Sequence, residues 1–156
     1  MGPTDDEFAA FIATTGAQVQ RALVAAHGAA EGRSASQAAL TWAWEHWDRV
    51  AGMRNPAGYL YRVGVTATLR GRPRDIPVAD PITNSFVEAP DVEPELVAAL
   101  DGLPPQQRAA VLLVHGHGYT LREVGAILDL NPSTVRVHVQ RGLTKLRKSL
   151  EADHAH

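Results

Sequence analysis

Residues 119–150 read YTLREVGAILDLNPSTVRVHVQRGLTKLRKSL. Leu121, Val124 and Leu128 fall on one face of a short helix. Thr120 stands where an N-cap belongs, and Glu123 completes the spacing of a capping box. A three-residue turn follows, Asp129-Leu130-Asn131, in which Asn131 can cap the next helix and Pro132 occupies its first position. Val135, Val139 and Leu146 then line one side of a longer helix. Two helices of this kind across a three-residue turn predict a helix-turn-helix, whose first helix braces and whose second enters the major groove. From Asn131 to Leu150 there are five basic residues and no acid. The leading side of the second helix offers Ser133, Thr134, Arg136, Val137 and His138. Arginine pairs with guanine edges, while hydroxyls and imidazoles reach bases or phosphates. Arg141, Lys145, Arg147 and Lys148 are spaced for phosphates and for salt-sensitive affinity. Two antiparallel helices with a solvated basic face would carry some of the same cations, because cations favour helix C-termini. The capped turn and the acid-free second helix favour DNA.

Upstream of this stretch a helix is predicted from about Pro105 to His115, ended by Gly116 and Gly118, after a short helix Glu95–Asp101 that Leu103-Pro104-Pro105 interrupts. The segment from Asp75 to Pro94, DIPVADPITNSFVEAPDVEP, has no helical or alternating period and reads as a linker. One surface loop of that length inside a compact domain would be unusual. Before it the pattern is again helical. Thr4 and Glu7 have capping-box spacing, and Phe8, Phe11, Ile12, Val19 and Leu23 recur as one stripe. Gly28–Gly32 breaks this helix. A second helix from Ser34 or Ser36 to Val50 would bury Leu40, Trp44 and Trp47 and leave Trp42 off the stripe, free for a protein contact. After a loop at Gly52–Pro56, a third helix carries Leu60, Val63 and Ala67 into the basic run Arg70-Gly71-Arg72-Pro73-Arg74.

Composition sets the outer limits. A chain of 156 residues holds one ordinary domain or two small ones, and 45% hydrophobic with 21% charged residues is normal for a folded protein. The absence of cysteine excludes disulfides, thiolate metal sites and thiol nucleophiles, and it fits a cytoplasmic protein. MGPTDDEF is acidic and lacks the pattern of a secretory signal, and no apolar run is long enough to span a membrane. The formal charge of −2 hides an uneven distribution. Residues 1–74 carry eight Arg against six acids, residues 75–101 seven acids and no cation, and residues 102–150 seven cations against two acids. His115 and His117 are two apart around Gly116, with no acid or cysteine beside them, so no metal site is expected; His154 and His156 fall in the tail. Phosphate loops, nucleophile elbows and zinc-protease motifs are absent, so the chain reads as a binding module that needs no cofactor and no small-molecule substrate.

Leu103-Pro104-Pro105-Gln106-Gln107-Arg108-Ala109-Ala110-Val111-Leu112-Leu113 and Gly118-Tyr119-Thr120-Leu121-Arg122-Glu123-Val124-Gly125-Ala126-Ile127-Leu128 resemble region four of the extracytoplasmic-function sigma factors. Gln37, Leu40, Ala43-Trp44, His46-Trp47-Asp48-Arg49-Val50 and Tyr59-Leu60-Tyr61-Arg62-Val63 resemble region two. The resemblance implies an all-α protein of two small helical domains: residues 1–74 like region two, an acidic linker at 75–96, a region-four helix-turn-helix at 97–152 and a tail at 153–156. It implies a transcription initiation factor whose partners are promoter DNA, core RNA polymerase and an anti-sigma factor. Thr120, Ser133, Thr134, Arg136, Val137, His138, Arg141 and Lys145 would read the upstream promoter element. Met53, Arg54, Asn55, Tyr59, Tyr61, Arg62 and Arg70 would take the melted downstream strand, where aromatic and cationic side chains suit single-stranded DNA. Gln37, Thr41, Trp42 and Glu45 would face polymerase.

The chain departs from the family pattern. Ser34, Ala38, Trp42, Val65, Thr66 and Arg70 stand where the family carries other, mostly charged or polar, residues, and Asp129 stands where the turn usually has Gly. Asp tolerates the left-handed conformation better than most residues. Two other readings stay open: a sigma-like DNA-binding regulator that no longer opens promoters, and a LuxR-type regulator, whose recognition helix Ser133–Val139 also resembles. The acidic linker is expected to lie near basic surface.

Overall fold

Thr4 opens the first helix as its spacing predicts: its Oγ accepts the Glu7 N–H at 3.1 Å, and Glu7 Oε1 accepts the Thr4 N–H at 2.9 Å. A computed structural model of the chain describes residues 2–69 and 94–154. Helix α1 (Asp5–Phe11) runs through one wider-wound segment, Ile12–Gly16, into α2 (Ala17–His27). Gly28, at φ +91°, ends α2 and turns the chain directly into α3 (Ala29–Glu45). A short α4 (Trp47–Ala51) and a loop lead to α5 (Pro56–Leu69). After the undescribed residues come α6 (Pro94–Asp101), α7 (Pro105–Val111) with its wider-wound continuation Leu112–Gly116, α8 (Leu121–Leu128) and α9 (Pro132–His154). The described residues contain no strand, and the all-α expectation holds.

Several boundaries move. The second helix begins at Ala29, not at Ser34 or Ser36, and Gly32 lies inside it, where an added Cβ would sit 2.4 Å from the Val24 Cα. The sequence signal of two glycines marked a close helix crossing rather than a longer break. That helix ends early: His46 leaves helical geometry at φ −121°, so Trp47–Ala51 forms a separate element. The break takes Trp47 out of the register of α3, and within α3 the expected stripe is not the inward face. Trp44 is 43% exposed, whereas Trp42 is half-buried against the core. The expected roles of these two tryptophans are therefore exchanged, because the inward face of α3 is built from Gly32, Ala35, Ser36, Ala39 and Ala43. α6 starts at Pro94, inside the range expected for the linker, and α9 continues to His154, past the expected start of the tail. Arg70, Arg72, Arg74, His156 and the acids from Asp75 to Glu93 lie outside the described residues.

One apolar cluster draws on both halves of the chain. It joins Val19, Leu23, Ala26, Ala39, Leu60 and Tyr61 to Ala109, Leu113, Val124, Ile127, Val135 and Val139. Helix α2 is central to it, with Val19, Ala22, Leu23 and Ala26 at 0% exposure. Alanines on α2, α3 and α7 let backbones approach closely. A smaller cluster, Ala99, Leu103, Val111 and Leu146, seats α6 on α7 and α9. Across the two halves, Arg21 Nη1 donates to the Tyr119 hydroxyl at 2.6 Å, and the Arg108 guanidinium donates to Ala26 O; within its own half Arg108 also donates to Asp101 Oδ1 at 2.8 Å.

Because Leu23 lies in this shared cluster, Leu23→Ala is expected to lower unfolding free energy by about 2–5 kcal/mol and to do so in one transition. Urea unfolding followed by far-ultraviolet circular dichroism and by tryptophan fluorescence checks this. Two separated transitions would show that the halves unfold independently.

Candidate nucleic-acid interface

The helix-turn-helix forms as its capping chemistry predicts. Thr120 Oγ accepts the Glu123 N–H at 3.0 Å, and Glu123 Oε1 accepts the Thr120 N–H at 2.9 Å. α8 buries Val124, Ile127 and Leu128. Asp129 then adopts φ 61°, ψ 49°, so the turn runs through the left-handed region on a non-glycine residue. The Leu130 N–H bonds Gly125 O at 2.8 Å, and the Val135 N–H bonds Asn131 O at 3.0 Å, closing one helix and opening the next. In α9, Val135, Val139, Gly142 and Leu146 point inward.

The opposite side of α9 is the cationic face. Ser133, Arg136, Val137, Arg141, Lys145, Arg147 and Lys148 are exposed, Val137 at 39%. Thr134 and His138, expected on this face, are half-buried. Thr134 lines a groove of about 630 Å³ beside the turn, together with Asn55, Arg122, Asp129 and Asn131. His138 Nδ1 is buried without a hydrogen-bond partner. Burial, and after it the Arg141 charge, holds this imidazole below its ordinary pKa. Gln140 is exposed one turn beyond Arg136 and was missed in the sequence. The period that placed Ser133, Arg136 and Val137 on one face also reaches it, and Gln is an adenine-pairing side chain. Thr120 is exposed, with its hydroxyl accepting in the cap.

The residues expected to take a melted strand divide. Arg54 and Tyr59 are exposed, and Met53 is half-buried. Tyr59 lies 5.2 Å from the Trp42 ring, which also stacks on His46 at 4.2 Å and carries the Arg49 guanidinium 5.4 Å from its centroid. Arg49 was not singled out in the sequence, because the break at His46 is what brings it over Trp42. Tyr61 does not fit its expected role: it is 4% exposed in the core, and burial pushes its hydroxyl pKa up to about 12. Alternate residues Tyr59 and Tyr61 point to different sides of α5, so only one can stack on a base. Asn55 and Arg62 are occupied within the chain. Asn55 Nδ2 donates to Ala126 O at 2.9 Å, and Arg62 Nη1 pairs with Asp129 Oδ2 at 3.1 Å. Of the residues expected to face polymerase, Gln37, Thr41 and Glu45 are exposed on α3, while Trp42 is turned toward Tyr59. Among the described residues no group of three or more His, Asp or Glu is placed to hold a metal, and no helix is long and apolar enough to cross a membrane.

Among the described residues, an all-helical fold that presents a cationic helix, free of acids from its start to Leu150, behind a bonded three-residue turn is that of a helix-turn-helix protein. The family profile described as "Sigma-70, region 4" matches residues 94–146. The chain is 31% identical over 123 residues to an RNA polymerase sigma-E factor of Streptomyces avermitilis, covering 74% of this chain and 69% of that protein. It is 36% identical over 107 residues to the ECF RNA polymerase sigma factor SigE of Mycolicibacterium smegmatis, covering 60% of this chain but only 42% of that relative's length. The solved structure of the sigma factor RpoE of Bartonella quintana, in complex with the anti-sigma factor NepR, shares the fold. It superposes with a TM-score of 0.60 over 95% of this chain and 99% of that one at 17% identity. The chain belongs to the RNA polymerase sigma factors, of the extracytoplasmic-function type.

Two measurements test the local structure. Thr120→Ala removes the cap and is expected to cost about 1 kcal/mol in urea unfolding. His27, His117 and His138 all have pKa values lowered chiefly by burial. The unfolded chain therefore binds more protons than the folded one below the ordinary histidine value of about 6.5. Stability is expected to be full above that pH and to decline as pH falls from there through the lowered folded values. The urea midpoint should drop between about pH 7.5 and 5.5, and His138→Gln should reduce the drop.

Proposed function

We propose that this chain is a transcription initiation factor that binds core RNA polymerase and directs it to promoters through the α9 face. The observation that carries this is the solvent-facing set Ser133, Arg136, Val137, Arg141 and Lys145 on a helix whose other side is locked into the core. Arg136 and Gln140 are placed for base edges; Arg141, Lys145, Arg147 and Lys148 are placed for phosphates. Exposed Gln37, Thr41 and Glu45 on α3 form the surface offered to polymerase. RNA synthesis belongs to the polymerase, so the chain itself works as a binding module, in the cytoplasm where polymerase and DNA meet. Residues 1–74 and 97–152 act as a region-two-like and a region-four-like unit. An anti-sigma factor is the third partner of this reading, since the fold relative is bound to one.

A second reading, a sigma-derived regulator that does not open promoters, is favoured by a specific observation. Ser34, Ala38, Val65 and Thr66 bring no charge to the region-two surface, and Tyr61 is buried.

Run-off transcription with purified core polymerase, on promoter fragments selected by the protein, separates the two. Transcript that depends on this chain is expected. Arg136→Ala should cost about 1–3 kcal/mol of binding and relax base preference at one position. Arg141→Ala should weaken all sequences alike and flatten the salt dependence. DNA binding that persists without any polymerase binding would establish the second reading instead.

A further inference from the structure

Val135, Val137 and Val139 stand at alternate positions of α9. In a strand they would share a face; on a helix the middle one points away from the other two. Val135 is 0% and Val139 8% exposed, and both belong to the shared apolar cluster. Val137 is 39% exposed and belongs to neither cluster. An isolated exposed valine is ordinary on a protein surface. This one stands at the centre of the cationic face, where Ser133, Arg136, Gln140 and Arg141 around it are all exposed. A β-branched residue is also a poorer helix former than the Ala, Gln, Lys or Arg that suit an exposed helical position. Neither packing nor helix propensity accounts for a valine here, so its use lies in what α9 meets.

We propose that Val137 specifies a thymine of the promoter by covering its C5-methyl group in the major groove, a role that rests on the reading of α9 as the promoter-facing helix. The base edges in that groove present hydrogen-bond donors and acceptors, and the thymine methyl is the apolar group among them. A valine side chain can neither donate nor accept, so that methyl is the group it complements. Set against a cytosine instead, it would leave the N4 amino group shielded from water without a partner, which costs free energy. The face then carries three chemistries side by side: Arg136 for a guanine edge, Gln140 for an adenine edge and Val137 for a methyl. From Ser133 to Gln140 the helix rises about 10 Å, at about 1.5 Å per residue. That length covers about three base pairs of the groove, at about 3.4 Å each. The thymine is therefore adjacent to the pairs that Arg136 and Gln140 read.

The test replaces each thymine of the protein-selected promoter duplexes with uracil, one at a time. Uracil pairs as thymine does and lacks only the methyl. Binding of the fluorescein-labelled duplexes is read by anisotropy with the full chain assembled on core polymerase, and with the chain alone if it takes no core. At one thymine the wild-type chain is expected to lose about fourfold in affinity, the worth of one methyl removed from water. Val137→Ala should bind the thymine duplex about as weakly as wild type binds that uracil duplex, and should be indifferent to uracil at that position. Because it puts a better helix former at an exposed site, it should keep the wild-type urea midpoint. Arg136→Ala should stay sensitive to the same methyl while relaxing base preference at the neighbouring pair. If wild type loses affinity at no thymine, no methyl is read and the proposal is overturned. If Val137→Ala loses as much as wild type at the same thymine, another residue reads the methyl and the proposal is overturned again. A Val137→Ala chain that weakens on every duplex, with a lowered urea midpoint, assigns Val137 to helix stability and ends it too. In each of these cases a relaxed preference in Arg136→Ala leaves the promoter reading of α9 standing; a chain that selects no duplex at all removes both.

Discussion

Helix α2 is the post on which both halves of this protein hang. Val19, Ala22, Leu23 and Ala26 are wholly removed from solvent, and they are covered by α3 and α5 on one side and by α7 and α8 on the other. The small residues matter as much as the large ones. Alanines at 22, 25 and 26 on α2 and at 109 and 110 on α7 are almost fully buried. Short side chains bring helix axes close and let Leu23 and Leu113 interdigitate without voids. The polar contacts follow from that approach. Arg108 reaches Ala26 O at the C-terminal end of α2, where unpaired carbonyls and the helix dipole favour a cation.

The same packing divides the chain's cations by task. Those on the outer side of α9 are left without any burden of cohesion and face solvent as a band. Those on the seam are committed: Arg21 to Tyr119, Arg62 to Asp129 and Arg108 to Asp101 and Ala26. Counting charge along the chain cannot make this division. Residues 1–74 have a small excess of Arg, but part of that excess serves the junction with the other half.

The aromatic residues tell a similar story about geometry. Trp42, His46, Tyr59 and Arg49 gather because α3 stops at Glu45 and the chain restarts at Trp47. Trp44 is left outside, touching Phe8 edge-on at 4.9 Å, while Trp47 packs on Phe11 at 5.2 Å. Trp42 and Trp44 both lie on α3, and residues two apart on a helix face different sides, so only one of them meets the core; the departure from helical geometry at His46 resets the direction of Trp47 alone.

Local chemistry was legible in the sequence alone. Both capping boxes, at Thr4 and Thr120, the three-residue turn, the inward set Val135, Val139 and Leu146, and the all-α class could be read from it, because a cap or an amphipathic stripe depends only on residues within a few positions of one another. Tertiary structure decided the rest. Whether Tyr61 or Tyr59 is exposed, that Asn55 and Arg62 are engaged by α8 and its turn, that Thr134 and His138 are half-buried, and that Arg49 covers Trp42 all depend on contacts with neighbouring helices, some from the other half of the chain. The residue at 129 belongs to both levels. Its sequence position marks a turn, and a left-handed Asp can be read as tolerated there; only the packed structure shows its carboxylate 3.1 Å from Arg62. Periodicity identifies the face of a helix, but the free energy that makes a face interior or exterior comes from the surface that happens to meet it.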